Sequence, residues 1–232
     1  MSLLVLPLLA AAALQADRDW SEVSSKEARQ MVHDYGACVV RKQQRRASEA
    51  MLAEISNGQL MRRYPQLIDG KCMKVPIGQT AQMRFKGQQF RYALADALVQ
   101  TELAASPVPS FGAVPRLSHV APIPPSRVSD KGKPLKEARY QELLREYHED
   151  QAFALLSRYG ECVVRVEPAA SKALLLTDPA TAAEATAFTA LRTAFGTCLA
   201  EGETLSFGKV ALRGTVASNY YRLAKASAGA SK

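Results

Sequence analysis

The chain has 232 residues, 47% of them hydrophobic and 22% charged, with a formal net charge of +8. That is enough apolar material for one large core or two small ones. Only 7% of residues are aromatic, and the abundance of alanine predicts a mainly α protein.

The first segment is MSLLVLPLLAAAALQADRDW, in which Leu3 to Leu14 form an apolar run followed at once by charge. The run is long enough for a secretory h-region and well short of the roughly 20 residues of a membrane span. Small residues at Ala11, Ala12, Ala13 and Ala16 offer cleavage sites. Residues 1–16 are therefore expected to be a signal peptide, and the mature protein to be periplasmic or secreted with no transmembrane span.

Next come SSKEARQMVHDY and the heptapeptide YGACVVR from Tyr35 to Arg41. The heptapeptide returns as YGECVVR from Tyr159 to Arg165, differing only at Ala37 and Glu161. Farther on, MRFKGQQFRYALADALVQ from Met83 aligns without gaps on LSFGKVALRGTVASNYYR from Leu205. Phe90 then corresponds to Leu212, Arg91 to Arg213 and Ala95 to Ala217. Each unit has the order helix, YGxCVVR, helix, cysteine, link, helix, and a twofold duplication is the economical explanation.

The cysteines follow the same division. Cys38 and Cys72 belong to one unit, Cys162 and Cys198 to the other, with separations of 34 and 36 residues. Four cysteines allow three pairings. Symmetry between the units favours Cys38 with Cys72 and Cys162 with Cys198, and closing loops of this size stabilises a small core by roughly 3.5 to 4 kcal/mol. A tetrathiolate zinc site would bring its ligands in close pairs such as C-x2-C, and the sequence has none.

Within unit one, Ala47 to Ile55 reads as a helix that Ser56-Asn57-Gly58 should end. In unit two, Pro168 should open a helix carrying Ala173 to Leu176. Asp178-Pro179 should open another, with Phe188, Leu191, Phe195 and Leu199 at helical spacing. The last helix repeats that spacing with Leu212, Val216, Tyr220 and Leu223, as its counterpart does with Phe90, Leu94 and Leu98. Short extended pieces are allowed around Met83 to Phe85 and Thr204 to Phe207.

Between the units, SPVPSFGAVPRLSHVAPIPPSRVSDKGKP holds most of the prolines and reads as an extended connector that can pack through Val114, Leu117 and Ile123. The expected organisation is thus two helical modules, 17–103 and 136–226, each closed by one disulfide and joined by a proline-rich linker at 104–135, with a disordered tail at 227–232.

YGECVVR, the downstream cysteine and LRGTVASNYYRLAK resemble a group of exported alphaproteobacterial proteins in which this unit is often tandem. The resemblance covers both units and omits the linker. It implies an extracytoplasmic, helical, disulfide-bearing protein and carries no activity, substrate or catalytic residue. Unit one departs from the pattern, having Phe90-Arg91-Tyr92-Ala93 in place of the LRGT form.

No HExxH, G-x-S-x-G, Walker or G-x-G-x-x-G motif occurs, so no catalytic residue, metal site or cofactor is assigned. Ser206 to Lys209 matches S-x-x-K in letters only. Of the histidines, His33 aligns with Ser157 and is not shared by the units. His119 lies in the linker, and His148 in REYHED reads as part of a solvated helix face.

Charge is the feature with functional content. Residues Arg41 to Arg91 hold eleven Lys or Arg against three acids, whereas those from Lys136 onward hold twelve against eleven. Arg41, Lys42, Arg45, Arg46, Arg62, Arg63, Lys71, Lys74, Arg84 and Lys86 are the candidate polyanion-binding residues, directed at an anionic envelope component or another envelope protein. No recognition helix or aromatic stacking platform points to a specific nucleic acid. The expectation is a non-catalytic binding or structural module; the alternative is an envelope enzyme with a site between the modules.

Overall fold

The structure is a computed structural model that describes residues 11–73, 88–199 and 208–230, with side chains from residue 26 onward except at 57 and 230. It is mainly helical, with no strand among the described residues. Helix α1 spans Ala11–Leu52, α2 Asn57–Arg63, α3 Gln89–Leu98, α4 Glu137–Val166, α5 Pro168–Leu175, α6 Ala182–Ala190, α7 Arg192–Thr197 and α8 Lys209–Ala230. Met83 to Phe85 and Thr204 to Phe207 lie outside the described residues.

Both expected disulfides are present, Cys38–Cys72 with Cα atoms 5.6 Å apart and Cys162–Cys198 with 5.8 Å. Each ties a long helix to the segment after a short one. Alongside each bridge a tyrosine of the heptapeptide reaches across the same gap. Tyr35 Oη accepts from the Asp69 N–H at 3.0 Å, and Tyr159 Oη donates to the Phe195 carbonyl at 3.0 Å. Asp69 and Phe195 each stand three residues before the second cysteine.

Long helix α1 is bent at Gln43, whose φ of −140° and ψ of 40° leave the helical region. The corresponding Glu167, with φ −133° and ψ 70°, separates α4 from α5. Pro168 follows at the first position of α5, where a missing N–H costs nothing. Gln43 holds its bend by donating from Nε2 to the Gln66 carbonyl.

Two boundaries differ from the sequence expectation. Ser56 does not end a helix but caps the start of α2, accepting from the Gln59 N–H while Gln59 returns a bond to the Ser56 N–H. This reciprocal box outweighs the stop signal of Gly58 because it satisfies two otherwise orphaned donors. Likewise α6 is capped by Thr181, whose side chain accepts from the Glu184 N–H. Asp178-Pro179 precedes it in a turn containing Ala180 at φ 61°, and the expected single helix from Phe188 to Leu199 is divided at Leu191 into α6 and α7.

The four long elements pack in the sequence α1, α3, α8, α4, so that α3 and α8 lie at the centre. Their residues Phe90 to Val99 and Arg213 to Tyr221 are buried on every side, as a helix enclosed by others must be. Small side chains bring the axes close. A Cβ on Gly36 of α1 would fall 2.5 Å from the Ala93 carbonyl oxygen of α3, and one on Gly160 of α4 2.6 Å from Thr215 Oγ1 of α8. Buried residues from both ends of the chain, including Val39, Leu94, Val163 and Val216, form one hydrophobic cluster.

The segment between Leu103 and Lys136 carries no regular structure beyond an isolated bridge of Val128 with Pro134. It packs through Phe111, 2% exposed, and Val114, 7% exposed, whereas Ile123 is 85% exposed. At its other end α8 continues to Ala230, past the expected boundary at 226. No helix among the described residues is long and apolar enough to cross a membrane.

Candidate binding site

The basic residues of the first half lie on α1, on α2 and in the turn bearing Cys72. Arg41, Lys42, Arg45 and Arg46 occupy neighbouring turns of α1 and are exposed, as are Arg62 and Arg63 at the end of α2 and Lys71 beside the disulfide. Two of the cations are engaged by carboxylates: Lys42 Nζ lies 2.9 Å from Asp69 Oδ2, and Arg45 Nε lies 3.6 Å from Glu49. Arg41, Arg62, Arg63 and Lys71 form no ion pair among the described residues. Lys42 and the Lys71 N–H together hold the Asp69 carboxyl below its usual range. Lys74, Arg84 and Lys86 lie outside the described residues.

Arg41 shows how the two heptapeptides diverge. It is exposed, whereas the matching Arg165 donates to the carbonyls of Phe111, Val114 and Pro115 and to Glu161. The Ala37-to-Glu161 difference accounts for the contrast. In the second half a carboxylate one turn away orients the arginine, and the segment after α3 covers both. Glu161 also accepts from the Leu117 N–H at 3.0 Å and faces His119 Nε2 at 2.7 Å, while His119 Nδ1 lies 2.9 Å from Ser157 Oγ.

Ser157, His119 and Glu161 have the composition of a hydrolytic triad without its orientation. In such a triad Nε2 takes the serine proton and Nδ1 faces the acid. Here the nitrogens are reversed, and Ser157 is 4% exposed. The arrangement pins the proline-rich segment onto α4. Burial lowers the His119 pKa despite Glu161, and the bonds from Leu117, Arg165 and His119 hold Glu161 below its usual range despite burial, which acts in the opposite sense.

A second constellation, which sequence reasoning passed over, lies between α1, α3, α6 and α8. Arg213 of α8 donates from Nε and Nη2 to Asp96 of α3, both at 3.1 Å. Its remaining capacity goes to the carbonyls of Leu174, Leu175 and Thr177 at and just after the end of α5, and to Glu184 Oε1 at 3.4 Å. Asp96 Oδ2 also faces His33 Nδ1 at 3.1 Å, and Arg29 reaches Glu184 at 2.6 and 2.8 Å. Asp96, Glu184 and Arg213 have side chains 9%, 2% and 6% exposed.

Above this network opens a cavity of about 330 Å³ lined by residues of α1, α3 and the start of α8, with Pro179 at its edge. No Ser, Thr or Cys is among its described lining residues. His33 was set aside by its mismatch with Ser157. The signal available in the sequence was its spacing from Arg29, one helical turn earlier on the same face. Asp96 gave no such signal, because its partner Arg213 is 117 residues away.

His148 is exposed and bonded to Gln151, as a solvated face requires. Ser206 lies outside the described residues.

No protein-family profile, curated protein or solved structure matches this chain.

Proposed function

We propose that this chain is an exported binding protein, assembled by duplication of one disulfide-closed helical unit, whose first half holds an anionic polymer of the cell envelope on its basic face. The observation that carries this reading is the exposure of Arg41, Lys42, Arg45, Arg46, Arg62 and Arg63 across α1 and α2 with, among the described residues, only Lys42 and Arg45 paired to carboxylates. Clustered cations of this kind raise the local concentration of polyanions and make their binding steeply salt-dependent.

Duplication is supported by the paired positions. Gln43 and Glu167 both leave helical geometry. Arg91 and Arg213, which align in the two units, each donate to a backbone carbonyl, those of Ile55 and Thr177. Export is supported by two disulfides, which persist in oxidising compartments. The resemblance to exported tandem proteins points the same way.

A column of immobilised heparin and isolated cell envelope test the binding reading. The protein should be retained at low salt and released by salt. Reversing Arg45, Arg46, Arg62 and Arg63 to Glu should abolish retention while leaving the thermal midpoint little changed. Unchanged retention of that variant would refute the reading. The alternative, an envelope enzyme, draws its support from the His33–Asp96 contact beside a cavity.

A further inference from the structure

The cavity between α1, α3 and α8 differs chemically from the basic face. Its walls include Val32, Ala93, Tyr92 and Val210, and its floor is the Asp96–Arg213 pair. A volume of about 330 Å³ places it at the small end of ligand sites.

The floor has little capacity left for a ligand. All three guanidinium nitrogens of Arg213 donate to protein acceptors, and both Asp96 oxygens are taken by Arg213. Of the other polar lining residues, Gln89 and Tyr92 are on α3, and Arg29 and His33 stand together on α1. A carboxylate can only accept, so the Asp96 contact puts a proton on His33 Nδ1, and in the neutral form of the ring Nε2 is then an acceptor. Arg29 engages Glu184 through Nη2 alone, leaving Nε and Nη1 without a hydrogen bond among the described residues. Arg29 and His33 are i and i+4 on one helix, and their side chains stand over one another.

An acceptor nitrogen one turn from a guanidinium, at the edge of an apolar cavity, matches one head group. A carboxyl group can share one proton with His33 Nε2 and accept from Arg29 with its other oxygen, a carboxylate taking that proton up from water as it binds. An alcohol can donate and accept through its one oxygen but brings no charge to Arg29, and an amine is repelled by Arg29. We infer that this cavity binds a small monocarboxylic acid with an apolar body, its carboxyl group held by His33 and Arg29 and its hydrocarbon enclosed by Val32, Tyr92, Ala93 and Val210. This inference goes beyond the basic-face reading and does not depend on it.

The test uses the full chain with octanoate below its aggregation concentration, and octanol and octylamine as matched bodies with other heads. Binding is read by calorimetry and by the imidazole nitrogen resonances of His33. Octanoate should bind and shift those resonances, with octanol weaker by at least about tenfold, the loss expected for one charged hydrogen bond. His33→Gln and Arg29→Gln should each weaken octanoate by about ten- to a hundredfold. Val32→Trp should block the cavity while leaving the polar network and the near-ultraviolet circular dichroism intact, which keeps the test decisive if a network variant fails to fold. Failure of octanoate to shift His33, equal binding of octylamine, or unchanged binding by Val32→Trp would each overturn the inference. Heparin retention is unaffected by any of these results, so the two readings fail separately.

Discussion

Tyr92 of α3 lies on the backbone of α8 at Gly214, so closely that a Cβ there would come 2.0 Å from Tyr92 Cγ. The ring is 7% exposed and cannot swing into solvent without opening the central helix pair. Gly214→Ala should therefore destabilise by about 1 to 3 kcal/mol or more, the range for overpacking a filled core. Gly196→Ala in α7 meets nothing within 4 Å and should be neutral or stabilising. Urea unfolding of both variants checks the contrast.

The buried pair of Asp96 and Arg213 makes a second prediction. Arg213→Met leaves Asp96 and Glu184 without their central cation and should cost about 3 to 5 kcal/mol, as does removing one partner of a buried ion pair. Adding Asp96→Asn to that variant should recover part of the loss, since the stranded charge is gone. A double-mutant cycle measures the coupling, and strictly additive losses would contradict it.

Each disulfide should be closed and structural. Thiol titration of the unreduced, denatured protein should find no reactive thiol, and reduction should expose all four cysteines. Cys162→Ser with Cys198→Ser should lower stability by roughly 4 kcal/mol by freeing the unfolded chain.

The latch of His119 on Glu161 predicts an acid-side loss of stability. Burial lowers the folded pKa of His119, so below about pH 6.5 the unfolded chain binds a proton that the folded chain does not. Glu161 is likewise lowered in the fold, its contribution being full above about pH 4.3 and lost as pH falls toward its folded value. The thermal midpoint should decline from about pH 6.5 downward, and Glu161→Gln should flatten the lower part of that decline.

Relief of backbone strain supplies a last prediction. Ala180 adopts φ 61°, a left-handed conformation that costs a residue with a Cβ roughly 1 to 2 kcal/mol. Its N–H donates to Glu184, which holds the turn in place. Ala180→Gly should raise the thermal midpoint without altering the fold.

Helical class, the paired cysteines and the apolar stripes of α3 and α8 could all be read from local patterns. Leu94, Leu98, Val216 and Tyr220 stand at 0 to 1% exposure as their spacing required. The boundaries at Ser56 and Thr181 were misread because two signals competed within a few residues, and the capping bonds prevailed. The basic residues were visible as a run of charge. The cavity was not, because Arg29, His33, Asp96, Arg213 and Glu184 come from four helices and no short window contains two of the pairs that meet.

The sequence by itself determined the helices, the disulfide partners and the uneven charge, since each follows from spacing, identity or count along the chain. Only the tertiary structure decided that α3 and α8 form a shared centre, that the proline-rich segment is latched to α4, and that a cavity opens over Asp96 and Arg213. These depend on which surfaces exclude water together. Gly36, Gly160 and Gly214 have meaning only opposite Ala93, Thr215 and Tyr92, residues that packing brings so close to their backbones that no Cβ fits between.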